Sequence, residues 1–246
     1  MDLPETSRNR ATRLLCWNTA WNRKTSQKGT LQRQRILEAD ADIICCPEAY
    51  DDFLPDEWFR ITSAADHGYS ITKGRYKVAL WSRSPWTAID HIGDTRLPPG
   101  RFVAGVTETP AGQLQVIGVC IPWSMAHVTT GRKDSARWDE HMLYLEGLTA
   151  LLRKQHDIPT VVIGDFNQRM PRKLVPAMAA DALEDAMQGL NVWTAGTSIE
   201  GLEKQPVCHI AGSPMLSPRA TWGISRDIDD VTVSDHDGLI AEVEAP

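Results

Sequence analysis

Apolar residues in this chain gather into short runs, and four of those runs end on polar groups of a related kind. Leu14-Leu15-Cys16-Trp17 leads into Asn18, Ile43-Ile44-Cys45-Cys46 into Pro47-Glu48, Thr160-Val161-Val162-Ile163-Gly164 into Asp165-Phe166-Asn167, and Val231-Thr232-Val233-Ser234 into Asp235-His236. Runs of this length predict buried strands, and the loops after strand ends are where a rigid scaffold presents its working groups. Val78 to Ser82, Val207 to Ala211 and Ile240 to Val243 read as further strands. Phe102 to Thr107 and Leu114 to Ile121 read as an antiparallel hairpin, because Thr109-Pro110-Ala111-Gly112 supplies the backbone angles of a turn. Two stretches carry a helical period instead: one after Gly29 with Leu31, Ile36 and Leu37, and one from Trp138 to Leu152 with Trp138, Met142, Leu145, Leu148 and Leu152 on one stripe. Strands mixed with helices predict an α/β protein of two sheets stacked face to face and covered by outer helices, with the polar strand ends gathered along one edge.

Composition narrows this picture. The chain has 246 residues, 42% of them hydrophobic and 24% charged, enough to bury a sizeable core. No linker or repeat interrupts the series of elements, so residues 12–246 are expected to form one domain. The polar stretch 1–11, with Arg8 and Arg10, reads as a flexible arm rather than a secretion signal. No segment approaches the roughly 20 apolar residues of a membrane span. Three of the five cysteines, Cys16, Cys45 and Cys46, lie inside apolar runs and no Cys-x-x-Cys pair occurs, which argues against a disulfide framework or zinc finger and for a reducing, cytoplasmic setting. The net charge of -6 argues against nonspecific coating of nucleic acid but leaves room for a local basic groove. No obligate protein partner is evident.

The strand-end groups suggest a chemistry. Mg²⁺ is a hard cation that takes one or two carboxylates and fills its remaining positions with water and substrate phosphate. Glu48 with Asp165 or Asp235 meets that need, and hydrolysis of a phosphate ester further requires a positioned water and donors where charge grows on oxygen. Asp, Asn and His side chains supply those functions.

The sequence resembles the endonuclease/exonuclease/phosphatase superfamily, which includes DNase I-like nucleases. The likeness is carried by Asn18, Pro47-Glu48, the segment Leu80 to Pro85, Gly164-Asp165-Phe166-Asn167 and Ser234-Asp235-His236-Asp237-Gly238. Each motif alone is an ordinary turn or loop element; their order and spacing together are specific. The resemblance implies a four-layer αββα sandwich of two mixed β-sheets flanked by helices. It implies a metal site of Glu48 and Asn18 with support from Asp235, and Mg²⁺ as cofactor with Mn²⁺ as the alternative. It also implies that Asp165 orients or deprotonates the water, Asn167 holds a phosphate oxygen and His236 donates to the phosphate. Two positions depart from the family pattern. Cys208 stands where an Asp usually orients the last His, with Asp229, Asp230, Glu200 or Glu203 as candidate replacements, and Cys120 stands where a His or Tyr assists at the phosphate.

Three basic clusters follow the proposed catalytic strands: Arg23, Lys24 and Lys28; Arg132, Lys133 and Arg137; and Arg169, Arg172 and Lys173. With Trp21, Trp123, Trp193 and Trp222, placed in loops, they suggest a polyanionic substrate with rings available for stacking. Arg169, Arg137, Lys24 and Trp123 are the expected substrate contacts. The expected activity is a Mg²⁺-dependent phosphodiesterase or nuclease acting on nucleic acid or a nucleotide-like substrate. The alternatives are a phosphatase on inositol phosphate or phospholipid head groups and a degenerate member that binds a phospho-ligand without cleaving it.

Overall fold

The computed structural model describes residues 10–154, 157–196 and 198–245. Its elements are β1 (Thr12–Cys16), α1 (Gln27–Glu38), β2 (Ile43–Tyr50), β3 (Phe59–Thr62), β4 (Arg75–Ser82), β5 (Thr87–Asp90), β6 (Phe102–Thr109), β7 (Gly112–Cys120), α2 (Asp139–Leu152) and β8 (Thr160–Asp165). They continue with α3 (Ala177–Ala186), β9 (Asn191–Val192), β10 (Cys208–Gly212), β11 (Ser217–Ile224), β12 (Asp227–Ile228), β13 (Val231–Thr232) and β14 (Gly238–Glu244). Two six-stranded mixed sheets result, in the orders β11-β14-β1-β2-β4-β3 and β5-β6-β7-β8-β10-β9, with β12 and β13 forming a separate hairpin. β1 runs parallel to β2 and β7 to β8; α1 and α2 provide the crossovers that parallel neighbours require.

The pleat sorts each apolar run into two layers. Leu14 and Cys16 of β1 and Ile43 and Cys45 of β2 face the opposite sheet and meet Val116, Val161 and Ile163. Leu15, Ile44 and Cys46 point the other way and pack with Ile36 of α1. Beyond the second sheet, Ile117, Val119 and Val162 pack on Tyr144, Leu145 and Leu148 of α2 and Leu183 of α3. The layers are therefore helix, sheet, sheet and helices, the αββα sandwich expected, and strands covered on both faces read as unbroken apolar runs for that reason. Gly118 permits the close approach of the sheets: a Cβ there would lie 2.7 Å from Val78 Cγ1.

Some elements differ from the sequence reading. The run Val231 to Ser234 is not a sheet strand ending at Asp235. Only Val231–Thr232 pairs, with Asp227–Ile228, because Asp229 and Asp230 adopt φ of 47° and 62° and close a tight hairpin turn. β11 carries Pro218 and Gly223 and lies mostly exposed at a sheet edge, so it presents no apolar run; it contains Trp222, expected in a loop, with the Arg13 guanidinium 5.8 Å over its ring. Of the proposed arm 1–11, residues 1–9 lie outside the described residues, while Arg10 is ion-paired with Asp42. Among the described residues no helix is long and apolar enough to cross a membrane, and all five cysteines are buried free thiols.

Candidate active site

At one edge of the sandwich a cleft of about 430 Å³ is lined by Asn18, Glu48, Asp165, Asn167, Asp235 and His236, which come from four separate segments of the chain. Asp165 ends β8 and is buried. Its Oδ1 accepts from the Asn167 backbone N at 2.9 Å, and its Oδ2 accepts from Asn18 Nδ2 and Asn167 Nδ2, each at 3.2 Å. Asn167 also donates Nδ2 to Ile121 O at 2.8 Å and adopts φ 54°, a left-handed conformation that Asn tolerates better than most residues. Asn18 follows β1, and its Oδ1 accepts from the Ala20 backbone N at 2.9 Å. Glu48 interrupts the regular ladder of β2 with φ 53°; its carbonyl accepts from Thr19 Oγ1 at 2.7 Å and Trp21 N at 2.9 Å, clipping the loop after β1 to β2. The Ser234 hydroxyl donates to Asn18 O at 2.8 Å and accepts from His236 N at 3.1 Å, while Trp17 Nε1 donates to His236 O at 2.9 Å. The last loop is thereby tied to the end of β1.

His236 faces carboxylates on one side and sulfur on the other. Its Nε2 lies 3.7 Å from Asp235 Oδ2 and 3.9 Å from Asp165 Oδ2, and its Nδ1 lies 3.4 Å from Cys208 Sγ. Burial pulls the imidazole pKa down, but the Asp165 carboxylate and the other neighbours outweigh it and the net shift is upward, to about 10. Burial raises the Asp165 pKa against the opposing pull of His236. Cys208 pairs directly opposite Asp165 in the β10–β8 register, so it occupies the place from which a carboxylate would orient the ring. Asp229, Asp230, Glu200 and Glu203 are exposed and none forms an ion pair with His236. Burial pushes the Cys120 thiol up to about 12, and a hydrogen bond with Cys16 together with burial raises that of Cys208, so both are neutral near pH 7 and neither is a thiolate nucleophile.

The loop after Asp165 rests on a buried polar network. His209 of β10 donates Nε2 to Gln168 O at 3.0 Å and accepts at Nδ1 from Thr194 Oγ1 at 3.2 Å, whose oxygen in turn accepts from Ile210 N at 2.9 Å. Gln168 Nε2 donates to Ala179 O at 2.8 Å and to His141 Nε2 at 2.7 Å, and His141 Nδ1 donates to Pro122 O at 2.6 Å. Burial pushes His209 down to about 4 and lowers His141, which keeps both rings neutral.

The expected substrate contacts divide. Trp123, 48% exposed, lines the cleft. Arg169 lines a smaller adjoining pocket with Cys208, Asp235 and His236 and donates Nε to Gln205 O at 3.1 Å. Lys24 and Arg137 do not line the cleft; Lys24 is paired with Asp52 at 3.0 Å and Arg137 is exposed. Arg132, from the same cluster as Arg137, pairs with Asp134 and Glu140. The cations that do line the cleft are Arg75, Lys77 and Arg101, none of which stands out in the sequence. A signal was present for two of them: Arg75 and Lys77 are two apart in one strand and so share a face. Lys77 Nζ lies 2.5 Å from Glu48 Oε1. Trp21, His67 and Tyr69 follow one another along one wall, with centroid separations of 6.3 and 5.7 Å, and His127, outside the cleft lining, stacks on Tyr69 at 4.4 Å.

Residues 15–236 match the model of the Endonuclease/Exonuclease/phosphatase family. No curated protein matches the sequence. Among solved structures the chain is similar to a 3'-5' exonuclease, NExo, from Neisseria meningitidis, at 19% identity over 95% of this chain and 100% of that one, TM-score 0.66. It is similar to the 3' phosphatase NExo from Neisseria bound to product DNA hairpin, at 19% identity over 94% and 99% of the two chains, TM-score 0.65. A humanized D. rerio TDP2 carrying 14 mutations aligns at 12% identity over 95% and 99%, TM-score 0.68. At these identities the structural likeness is one of fold.

Proposed function

This chain belongs to the Endonuclease/Exonuclease/phosphatase family, and from that premise we propose that it is a divalent-metal-dependent phosphodiesterase acting on nucleic acid or a nucleotide-like substrate. Membership makes it a phosphoester hydrolase. The observation that supports the reading is the convergence of Asn18, Glu48, Asp165, Asn167, Asp235 and His236 on one cleft. The donor set suits a hard cation, because Glu48 and Asp235 offer carboxylate oxygens, Asn18 an amide oxygen, and the neighbouring thiols are neutral. Glu48 and Asn18, with Asp235, would hold Mg²⁺, or Mn²⁺ in its place. When bound, the ion polarises a phosphoryl oxygen and neutralises charge developing there.

The protein's own groups account for the remaining chemistry. Asp165, held by hydrogen bonds from the Asn167 backbone N and Asn18 Nδ2, orients the attacking water and accepts its proton. Asn167 keeps one N–H on Ile121 O, and the other, 3.2 Å from Asp165, is the one that turns to a phosphate oxygen. His236, held protonated at neutral pH, donates to the phosphate as negative charge accumulates. Asp235, with its side chain 76% exposed, supports that side of the site from the cleft rim. Trp123 offers an open ring for base stacking. A nucleic-acid substrate is further supported by the relative whose structure holds product DNA hairpin.

The same relative, described as a 3' phosphatase, favours phosphomonoester hydrolysis as the second reading. A panel of single- and double-stranded DNA, RNA, a small diaryl phosphodiester and inositol phosphates, assayed both for diester cleavage and for released inorganic phosphate, separates the readings. Cleavage of diesters without inorganic phosphate is expected. Phosphate release from monoesters alone would make the protein a phosphatase, and binding with no turnover in Mg²⁺ or Mn²⁺ would make it a phospho-ligand binder.

A further inference from the structure

We propose that Arg101 and Lys77 form an anion subsite beyond the reacting centre, one that takes the phosphate next to the scissile phosphate in a substrate carrying at least two. The proposal rests on the phosphoester-hydrolase reading of the cleft and adds a second point of recognition to it.

Strand order fixes where the two cations stand. His236 precedes β14 and faces Cys208 of β10, at one end of the cleft. Moving across the sheets come Asp165 of β8 with Asn18 after β1, then Cys120 of β7 with Glu48 of β2, and last Arg101 at the head of β6 with Lys77 of β4. β6 lies two strands from β8, roughly 10 Å at the usual interstrand spacing. The cations therefore flank the cleft at the end away from His236, next to the position where Cys120 brings no phosphate-contacting group.

Arg101 is built in rather than draped on the surface. It lines the cleft with only 3% of its surface exposed. Its carbonyl accepts from Tyr144 Oη at 2.9 Å and Cys120 N at 3.0 Å, and the preceding Gly100 has φ 71° and packs so closely on Asp66 that a Cβ would lie 2.1 Å from its carbonyl oxygen. Yet among the described residues the guanidinium has no carboxylate partner, and its side chain makes one long hydrogen bond, Nη1 to Cys120 O at 3.4 Å. A buried cation without a counter-ion is costly, and an anion entering the cleft removes that cost. Lys77 is mostly buried and shares one acid, Glu48, while its ammonium lies 5.2 Å from the Trp21 ring centroid. His67 lines the same end; burial, and then the two cations, push its pKa down against its hydrogen bond to Ala65 O, so the ring stays neutral beside them. A guanidinium fork beside an ammonium matches the oxygens of a phosphate.

The test is calorimetric titration of the metal-free protein with a nucleoside 3',5'-bisphosphate and with the corresponding 5'-monophosphate. The bisphosphate is expected to bind about 10-fold tighter or more, and Arg101→Gln is expected to erase that advantage while leaving the monophosphate within about twofold. Arg101→Lys, which keeps the charge but loses the fork, is expected to fall between them and serves if the glutamine variant does not fold. Equal affinity of the wild type for the two ligands would overturn the proposal, as would an equal loss on both in either variant, which would place Arg101 at the reacting phosphate. Failure of the hydrolase reading shows itself separately, as absence of turnover on any substrate, and leaves this binding comparison intact.

Discussion

Acid should loosen this protein through His209, and the size of the effect follows from its surroundings. The ring is buried, with both nitrogens engaged in the neutral form: Nε2–H on Gln168 O and Nδ1 accepting from the Thr194 hydroxyl. Protonation would place a charge among apolar neighbours and set an N–H against a hydroxyl whose oxygen already accepts from Ile210 N. Burial accordingly brings the pKa from 6.5 to about 4. Because the folded pKa lies below the unfolded one, the stabilisation is complete above pH 6.5 and is lost as pH falls from there toward about 4; that displacement corresponds to about 3 kcal/mol. Urea unfolding followed by tryptophan fluorescence between pH 7.5 and pH 4 measures it, with His209→Gln as the comparison, since a glutamine amide can still donate to Gln168 O. The variant is expected to be less stable than wild type at pH 7.5 and to converge on it by about 3 kcal/mol as the pH falls. Groups unaffected by the substitution, His141 among them, cancel in the difference. A wild-type-minus-variant difference independent of pH would refute the reasoning.

Three further outcomes are expected. Gly164→Ala places a Cβ 1.9 Å from Val119 O at φ 151°, and thermal unfolding should show a loss of about 3 kcal/mol or no folded protein, whereas Gly189→Ala, which meets nothing within 4 Å, should cost only about 1 kcal/mol for its positive φ; equal melting temperatures would contradict this. Cys208→Asp puts a carboxylate against Nδ1 of His236 and should raise kcat on a phosphodiester about 10-fold while lowering stability, because the new charge is buried opposite Asp165; an unchanged kcat would mean that the ring needs no orienter. Trp123→Ala should raise KM for single-stranded DNA about 10-fold through lost stacking, while Lys24→Ala and Arg137→Ala, away from the cleft lining, should stay within about twofold; the reverse ranking would move the substrate path out of the cleft.

The elements that sequence reading recovers are those whose burial leaves a signature. β1, β2 and β8 are covered on both faces, so their apolar runs are continuous and the polar residue that ends each run is conspicuous. β11 escapes the same reading because an exposed edge strand tolerates Pro218, Arg219 and Gly223. α3 escapes because its buried positions are mostly alanine. The basic lining of the cleft was hidden for a different reason. Chain proximity groups Lys24 and Arg137 with the motif residues, but Lys24 is spent on Asp52, whereas Lys77 and Arg101 come to the cleft only through the pairing of β4 with β2 and of β6 with β7. Strand order in two stacked sheets is a nonlocal property that local patterning does not carry. The contact between Cys208 and His236 is likewise fixed by the β10–β8 register rather than by any motif.

The central claim is that this cluster of six side chains cleaves a phosphodiester with the help of one kind of hard cation. Turnover of a phosphodiester by the full chain, measured after chelation, after Mg²⁺ is restored, and in the Asp165→Asn variant with Mg²⁺ present, tests it most directly. The account predicts no cleavage after chelation, full recovery with Mg²⁺, and a loss of about 1,000-fold in the variant. Cleavage that persists in chelator, or that survives Asp165→Asn, would contradict it.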